Sequence, residues 1–168
     1  MPRLFEYAGD LDADREVLRR RRYGVIEMAA GQLVGITLRP WPKIVTLGET
    51  ILRGNSFHRQ QEGDRCWLYY NQPRHYPDFL ALTYVLSTRQ CRLATFHGAL
   101  DVLDEIARLK GTDALLCDAA NSRISDRLLA RWGWQPHCPS RWHRNFIKRF
   151  YGAYPQATQH AAELVERC

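Results

Sequence analysis

The chain has 168 residues, 45% of them apolar and 25% charged, with a formal net charge of +6. That composition suits a globular domain with a sizeable core and excludes a disordered or fibrous chain. No stretch approaches the about 20 apolar residues of a membrane span. Met1-Pro-Arg-Leu-Phe-Glu6 lacks the apolar core of a secretory leader, so a cytoplasmic protein with no membrane partner is expected. The cysteines, Cys66, Cys91, Cys117, Cys138 and Cys168, are odd in number and unclustered, which argues against a disulfide framework. Of the 24 basic residues only Lys43, Lys110 and Lys148 are lysines, and the positive sign favours anionic partners.

Residues 1–10 read as an extended arm or first strand. Leu11 to Arg22 reads as a helix, with Asp in its first turn and Arg in its last to complement the helix dipole. Tyr23-Gly-Val-Ile-Glu-Met28 and Leu33-Val-Gly-Ile-Thr-Leu38 are open between strand and helix. Pro40-Trp-Pro42 marks a loop, Lys43-Ile-Val-Thr-Leu47 a strand, and Gly54-Asn-Ser56 and Glu62-Gly-Asp64 turns. Cys66-Trp-Leu-Tyr-Tyr70 is a strand, followed by the loop Gln72 to Pro77.

The next stretch organises the chain. Leu80-Ala-Leu-Thr-Tyr-Val-Leu86 is apolar and rich in β-branched and aromatic residues, as a buried strand is. Polar Ser87 to Arg92 breaks it. Leu93, Phe96, Leu100, Leu103 and Ala107 then fall at helical spacing, and Lys110-Gly111 is a helix stop. Ala114-Leu-Leu-Cys117 is a second buried strand. Asn121-Ser122 opens another helix carrying Ile124, Leu128 and Trp132, which Gly133 ends. Strand, helix, strand in this rhythm predicts parallel strands joined by a right-handed crossover. A ligand in such a sheet sits beyond the carboxyl ends of the strands, here residues 86–94 and 118–122. After the loop Gln135 to Pro139, Arg141 to Tyr151 reads as a last strand and Ala157 to Val165 as a terminal helix. The expected division is one domain over 1–152, its binding core at 80–152, and a tail at 153–168.

The stretch Leu80 to Trp134 resembles the core of the GNAT superfamily of N-acetyltransferases. Asn121-Ser-Arg-Ile-Ser-Asp-Arg-Leu-Leu-Ala-Arg-Trp-Gly-Trp134 is similar to the family's Asn-led helix closing in Gly-Trp. The turn reads as Gln90-x-x-Leu93-x-Thr95 or Arg89-x-x-Arg92-x-Ala94 against the family's Gln/Arg-x-x-Gly-x-Gly/Ala, and neither register supplies the first Gly. The resemblance implies an α/β (α+β) fold with a mixed, centrally parallel twisted sheet flanked by helices. It also implies a co-substrate, acetyl-CoA or another acyl-CoA, and an amine acceptor. The pyrophosphate would lie on Arg89, Gln90, Cys91, Arg92, Leu93 and Ala94, and the pantetheine along Val85 and Leu86. Asn121 would reach the pantetheine or the reaction centre, or simply cap its helix. The family's acidic Tyr is replaced by Leu128, so Tyr84 or Cys117 would protonate the leaving thiolate. Asp78, with Glu49 as fallback, would be the base.

The alternative is a non-catalytic module of the same fold that binds an anionic partner, nucleic acid or an acidic protein, through the basic segments 19–22 and 141–149. His137, Cys138 and His143, with His75, match no closed Cys/His spacing, so no metal is expected. A monomer and a homodimer are both compatible with the sequence.

Overall fold

The structure is a computed structural model and describes residues 4–42, 62–119, 124–138 and 143–155. Glu6–Ala8 forms β1, Arg15–Arg20 α1, Tyr23–Ala29 β2, Gln32–Arg39 β3, Arg65–Asn71 β4 and Phe79–Ser87 β5. Leu93–Lys110 forms α2, Ala114–Asp118 β6, Asp126–Arg131 α3, Gln135–Pro136 β7 and Asn145–Arg149 β8. The strand and helix expected at 43–47 and 157–165 lie outside the described residues. Among the described residues no helix is long and apolar enough to cross a membrane.

The strands make one mixed sheet in the order β1-β3-β2-β4-β5-β6-β8-β7, with β5 and β6 parallel and joined by α2, as the alternating pattern predicts. The segments 23–28 and 33–38, open in the sequence, are strands. They are closed into a hairpin by Ala30 and Gly31, both at positive φ (50° and 79°), the backbone of a two-residue primed turn.

The first helix is shorter than the span 11–22. Asp10 Oδ1 accepts the N–H groups of Asp12 and Ala13 at 2.9 and 2.8 Å, and Asp14 Oδ2 accepts those of Gly9 and Asp10 at 2.9 and 3.2 Å. These local side-chain bonds compete with helical pairing, so the helix begins only at Arg15. α3 likewise starts later than Asn121, because Ser125 caps it by accepting the Leu128 N–H at 3.2 Å. The last strand shortens from 141–151 to Asn145–Arg149.

The long helix α2 packs across β2, β3 and β4 and against α1. Its Ala99, Leu100, Leu103, Ile106 and Ala107 meet Ile26, Met28, Ile36, Leu68, Tyr70 and Leu80 from the sheet and Leu18 from α1. Each such leucine or isoleucine stabilises the fold by about 1.5–3 kcal/mol. Two half-buried cations tie α2 to its surroundings. Lys148 on β8 pairs with Asp104, whose carboxyl burial pushes above its usual range. Lys110 Nζ donates to the carbonyls of Arg19 and Arg21 at 3.1 and 2.7 Å and to Gln72 Oε1 at 3.1 Å. Burial, aided by nearby Arg22, lowers that ammonium to about 8.

Candidate functional site

The carboxyl end of β5 is shaped by two register events. In the pairing with β4, Tyr69 stands opposite Tyr84 while Tyr70 stands opposite Leu82, so Thr83 is an extra, bulged residue. Its hydroxyl donates to the Tyr69 carbonyl at 3.1 Å. On the other side, the parallel ladder with β6 runs from Phe79↔Ala114 to Leu82↔Cys117 and stops, whereas β5 continues to Ser87.

Side chains that pair across strands share a face. Leu80 and Leu82 face α2 together with Leu68 and Tyr70, and so does Cys117. The bulge turns Tyr84 to the opposite face, where Asp118 also lies by alternation from Cys117. Tyr84 is half-buried, its ring centroid 5.9 Å from that of Tyr69, and burial raises its hydroxyl above the ordinary value. It therefore keeps its proton at neutral pH. The Cys117 thiol is pushed up to about 12, first by burial and then by Asp118, so it stays protonated at neutral pH.

After Ser87 the chain turns into α2. Thr88 pins that turn: its N–H donates to the Arg65 carbonyl at 3.1 Å, and its hydroxyl accepts the Arg65 N–H at 3.2 Å and donates to the Gly63 carbonyl at 2.5 Å. Gln90 Oε1 accepts the Gly63 N–H at 2.8 Å. The start of α2 receives a carboxylate from this same partner segment. Asp64 accepts the backbone N–H of Arg92 at 2.8 Å, its Nε–H at 2.8 Å and the Thr95 hydroxyl at 2.6 Å. Burial works against that charge, but Thr95 and Arg92 prevail and hold the carboxyl below its ordinary range. Arg92 itself offers the helix no side-chain cap, so Asp64 does that work from 28 residues away.

What remains open at the turn is Arg89, exposed and in no ion pair among the described residues, and the N–H groups of exposed Leu93 and Ala94. Cys91 is half-buried against Cys66, and both thiols are raised, chiefly by burial. The turn residues Arg89–Ala94 thus share one end of β5 with Val85, Leu86 and Tyr84.

Asp78 is not brought to them. It is exposed and precedes β5, where its carbonyl accepts the Asp113 N–H at 2.7 Å. At about 3.3 Å per residue that leaves it about 16 Å from Thr83, at the amino ends of the parallel strands. Glu49 and Asn121 lie outside the described residues.

Beyond the end of the ladder the structure adds a pair that spacing does not reveal. Asp118, the last residue of β6, meets His143 with Oδ2 2.7 Å from Nδ1. Their segments are joined by Asp118↔Asn145 pairing and by the Ala119 N–H donating to the Arg144 carbonyl at 2.9 Å. Arg144 braces the same corner by donating to the carbonyls of Ile124 and Ala119 and to the Asp126 carboxylate. His137 lies against Cys138, its Nε2 3.5 Å from Sγ, and among the described residues no three His, Cys, Asp or Glu side chains converge as a metal site would require.

Asp64 was visible in the sequence only as part of a turn, and nothing in its spacing points to residue 92. Asp118 carried one signal, its position just past a buried parallel strand. Neither a family model nor a curated protein matches this chain.

Proposed function

We propose that the chain is an acyl-CoA-dependent N-acyltransferase of GNAT-like fold that moves an acetyl or longer acyl group to an amine. The observation that carries the reading is the early end of the parallel ladder: β5 continues past its last pair with β6 by the residues Thr83–Ser87 and delivers the chain to the amino end of α2. Such an end is a phosphate seat, and Arg89 with the Leu93 and Ala94 N–H groups supplies donors for one. The pantetheine adds to β5 at Val85 and Leu86 through main-chain bonds, as an extra strand does. That places the thioester near the bulge, where Tyr84 protonates the departing thiolate.

The seat is only partly open, because the Arg92 N–H and guanidinium already serve Asp64. That contact favours the second reading, in which the same fold binds an anionic macromolecule without chemistry. Calorimetry with acetyl-CoA on the wild type and on the Arg89→Ala/Arg92→Ala double variant separates them. The enzyme reading expects binding that the double variant weakens by about tenfold or more, with acetyl-CoA at 100 times its dissociation constant stabilising the wild type by about 2.7 kcal/mol. Absent binding, or binding the double variant leaves unchanged, defeats it. Salt-steep binding of nucleic acid without acyl-CoA affinity would establish the module.

A further inference from the structure

We propose that Asp118 and His143 are the general-base pair of this site, a role that rests on the acyltransferase reading. His143 takes the proton of the incoming amine, and Asp118 orients its ring. The contact joins two elements 25 residues apart, at 2.7 Å between Nδ1 and Oδ2. With Nδ1–H given to Asp118, Nε2 carries the lone pair of the neutral imidazole and is left to act. Both side chains are solvent-accessible, 61% for His143 and 45% for Asp118, so an amine can reach that nitrogen.

Position gives the pair its meaning. Asp118 follows Cys117, the last residue in register with β5, and so stands level with the bulged Thr83. It shares a sheet face with Tyr84, and only because the bulge has turned Tyr84 to that face. An acid and a base therefore flank the point where the two parallel strands part. Among the described residues another contact of this type, His97 Nδ1 to Asp101 at 3.3 Å, is a neighbouring pair along α2 with the imidazole against Trp132, and needs no active site to explain it.

The amine nitrogen attacks the thioester carbonyl, so that an N–C bond forms and the C–S bond breaks. The N–H proton passes to His143 Nε2, and the thiolate takes a proton from the Tyr84 hydroxyl or from water. Solvent then removes the proton from His143 and restores that of Tyr84. The balance is amine plus thioester to amide plus thiol.

The test uses the full chain with acetyl-CoA, a panel of primary amines from polyamines to lysine peptides, and thiol detection. His143→Gln should lower kcat by about 10²-fold while the thermal shift given by acetyl-CoA stays that of wild type. Asp118→Asn should lower kcat with KM and melting temperature little changed, and Asp118→Glu should recover part of the loss. A wild type that transfers and a His143→Gln variant that transfers equally well overturn the pair and leave the acyltransferase standing. Binding of acetyl-CoA without transfer to any amine also overturns the pair, leaving the cofactor site. A wild type that neither binds nor transfers removes both.

Discussion

Replacing Asp64 by alanine should destabilise the protein by about 2–4 kcal/mol at pH 7. Its carboxylate accepts three bonds, and their losses differ in weight. The Arg92 guanidinium is 68% exposed, so water replaces that bond at little cost. The Thr95 hydroxyl is fully buried, and left without an acceptor it costs about 1–3 kcal/mol. The Arg92 N–H loses the cap of α2, about 1 kcal/mol more. Urea unfolding followed by circular dichroism measures the sum, and Asp64→Asn, which keeps shape without charge, should fall between. The sign with pH is fixed by the lowered carboxyl. The contribution is full above the unfolded-state value near 3.8 and fades as pH falls through the lower folded-state value. A loss below about 0.5 kcal/mol at pH 7 would refute the three-bond account, that being the range of an ordinary surface change. So would a gap between wild type and variant that does not narrow in acid.

Lys110→Met should cost about 1–3 kcal/mol in the same assay, since it takes the donor from three acceptors, two of them part-buried. The Lys110 ammonium sits at about 8 in the fold against an ordinary 10.5, so the unfolded chain holds that proton longer. Wild type should therefore gain stability relative to Lys110→Met as pH rises between those values. Lys148→Met leaves the buried Asp104 carboxyl without its partner, and thermal unfolding should register about 3–5 kcal/mol. Asp78→Asn, exposed at the far end of β5, should leave thiol release within about twofold of wild type, since a surface change there touches no reacting group.

The parts of the fold legible in the sequence were those with one dominant period. Leu93 to Ala107 repeats at helical spacing, and α2 spans Leu93–Lys110 as that spacing predicts, ending in Gly111 at φ 67°. The hairpin β2–β3 was ambiguous because Gly24, Val25 and Ile26 are consecutive buried residues, and a strand buried on both faces shows no alternation. The bounds of α1 and α3 slipped because Asp10, Asp14 and Ser125 decide them through individual hydrogen bonds, which composition does not specify. The site follows the same rule. Arg89 and the turn were visible as a polar break between strand and helix. The partners that complete it, Asp64 for Arg92 and His143 for Asp118, are set by sheet pairing across 28 and 25 residues, with no local signature.

The single extra residue at Thr83 also separates two design problems along one strand. Up to Leu82 the even-numbered side chains of β5 belong to the core beneath α2; beyond the bulge Val85 inherits that duty and Tyr84 and Leu86 are released from it. Substitutions at 84 and 86 can therefore retune what the strand end meets while the packing under α2 is left alone. Deleting Thr83 would close the bulge and leave Tyr84, Val85 and Leu86 on the faces they already hold, whereas pairing Thr83 into a regular ladder would swing Tyr84 and Leu86 into the core and Val85 out, so the strand's end depends on one residue staying out of register.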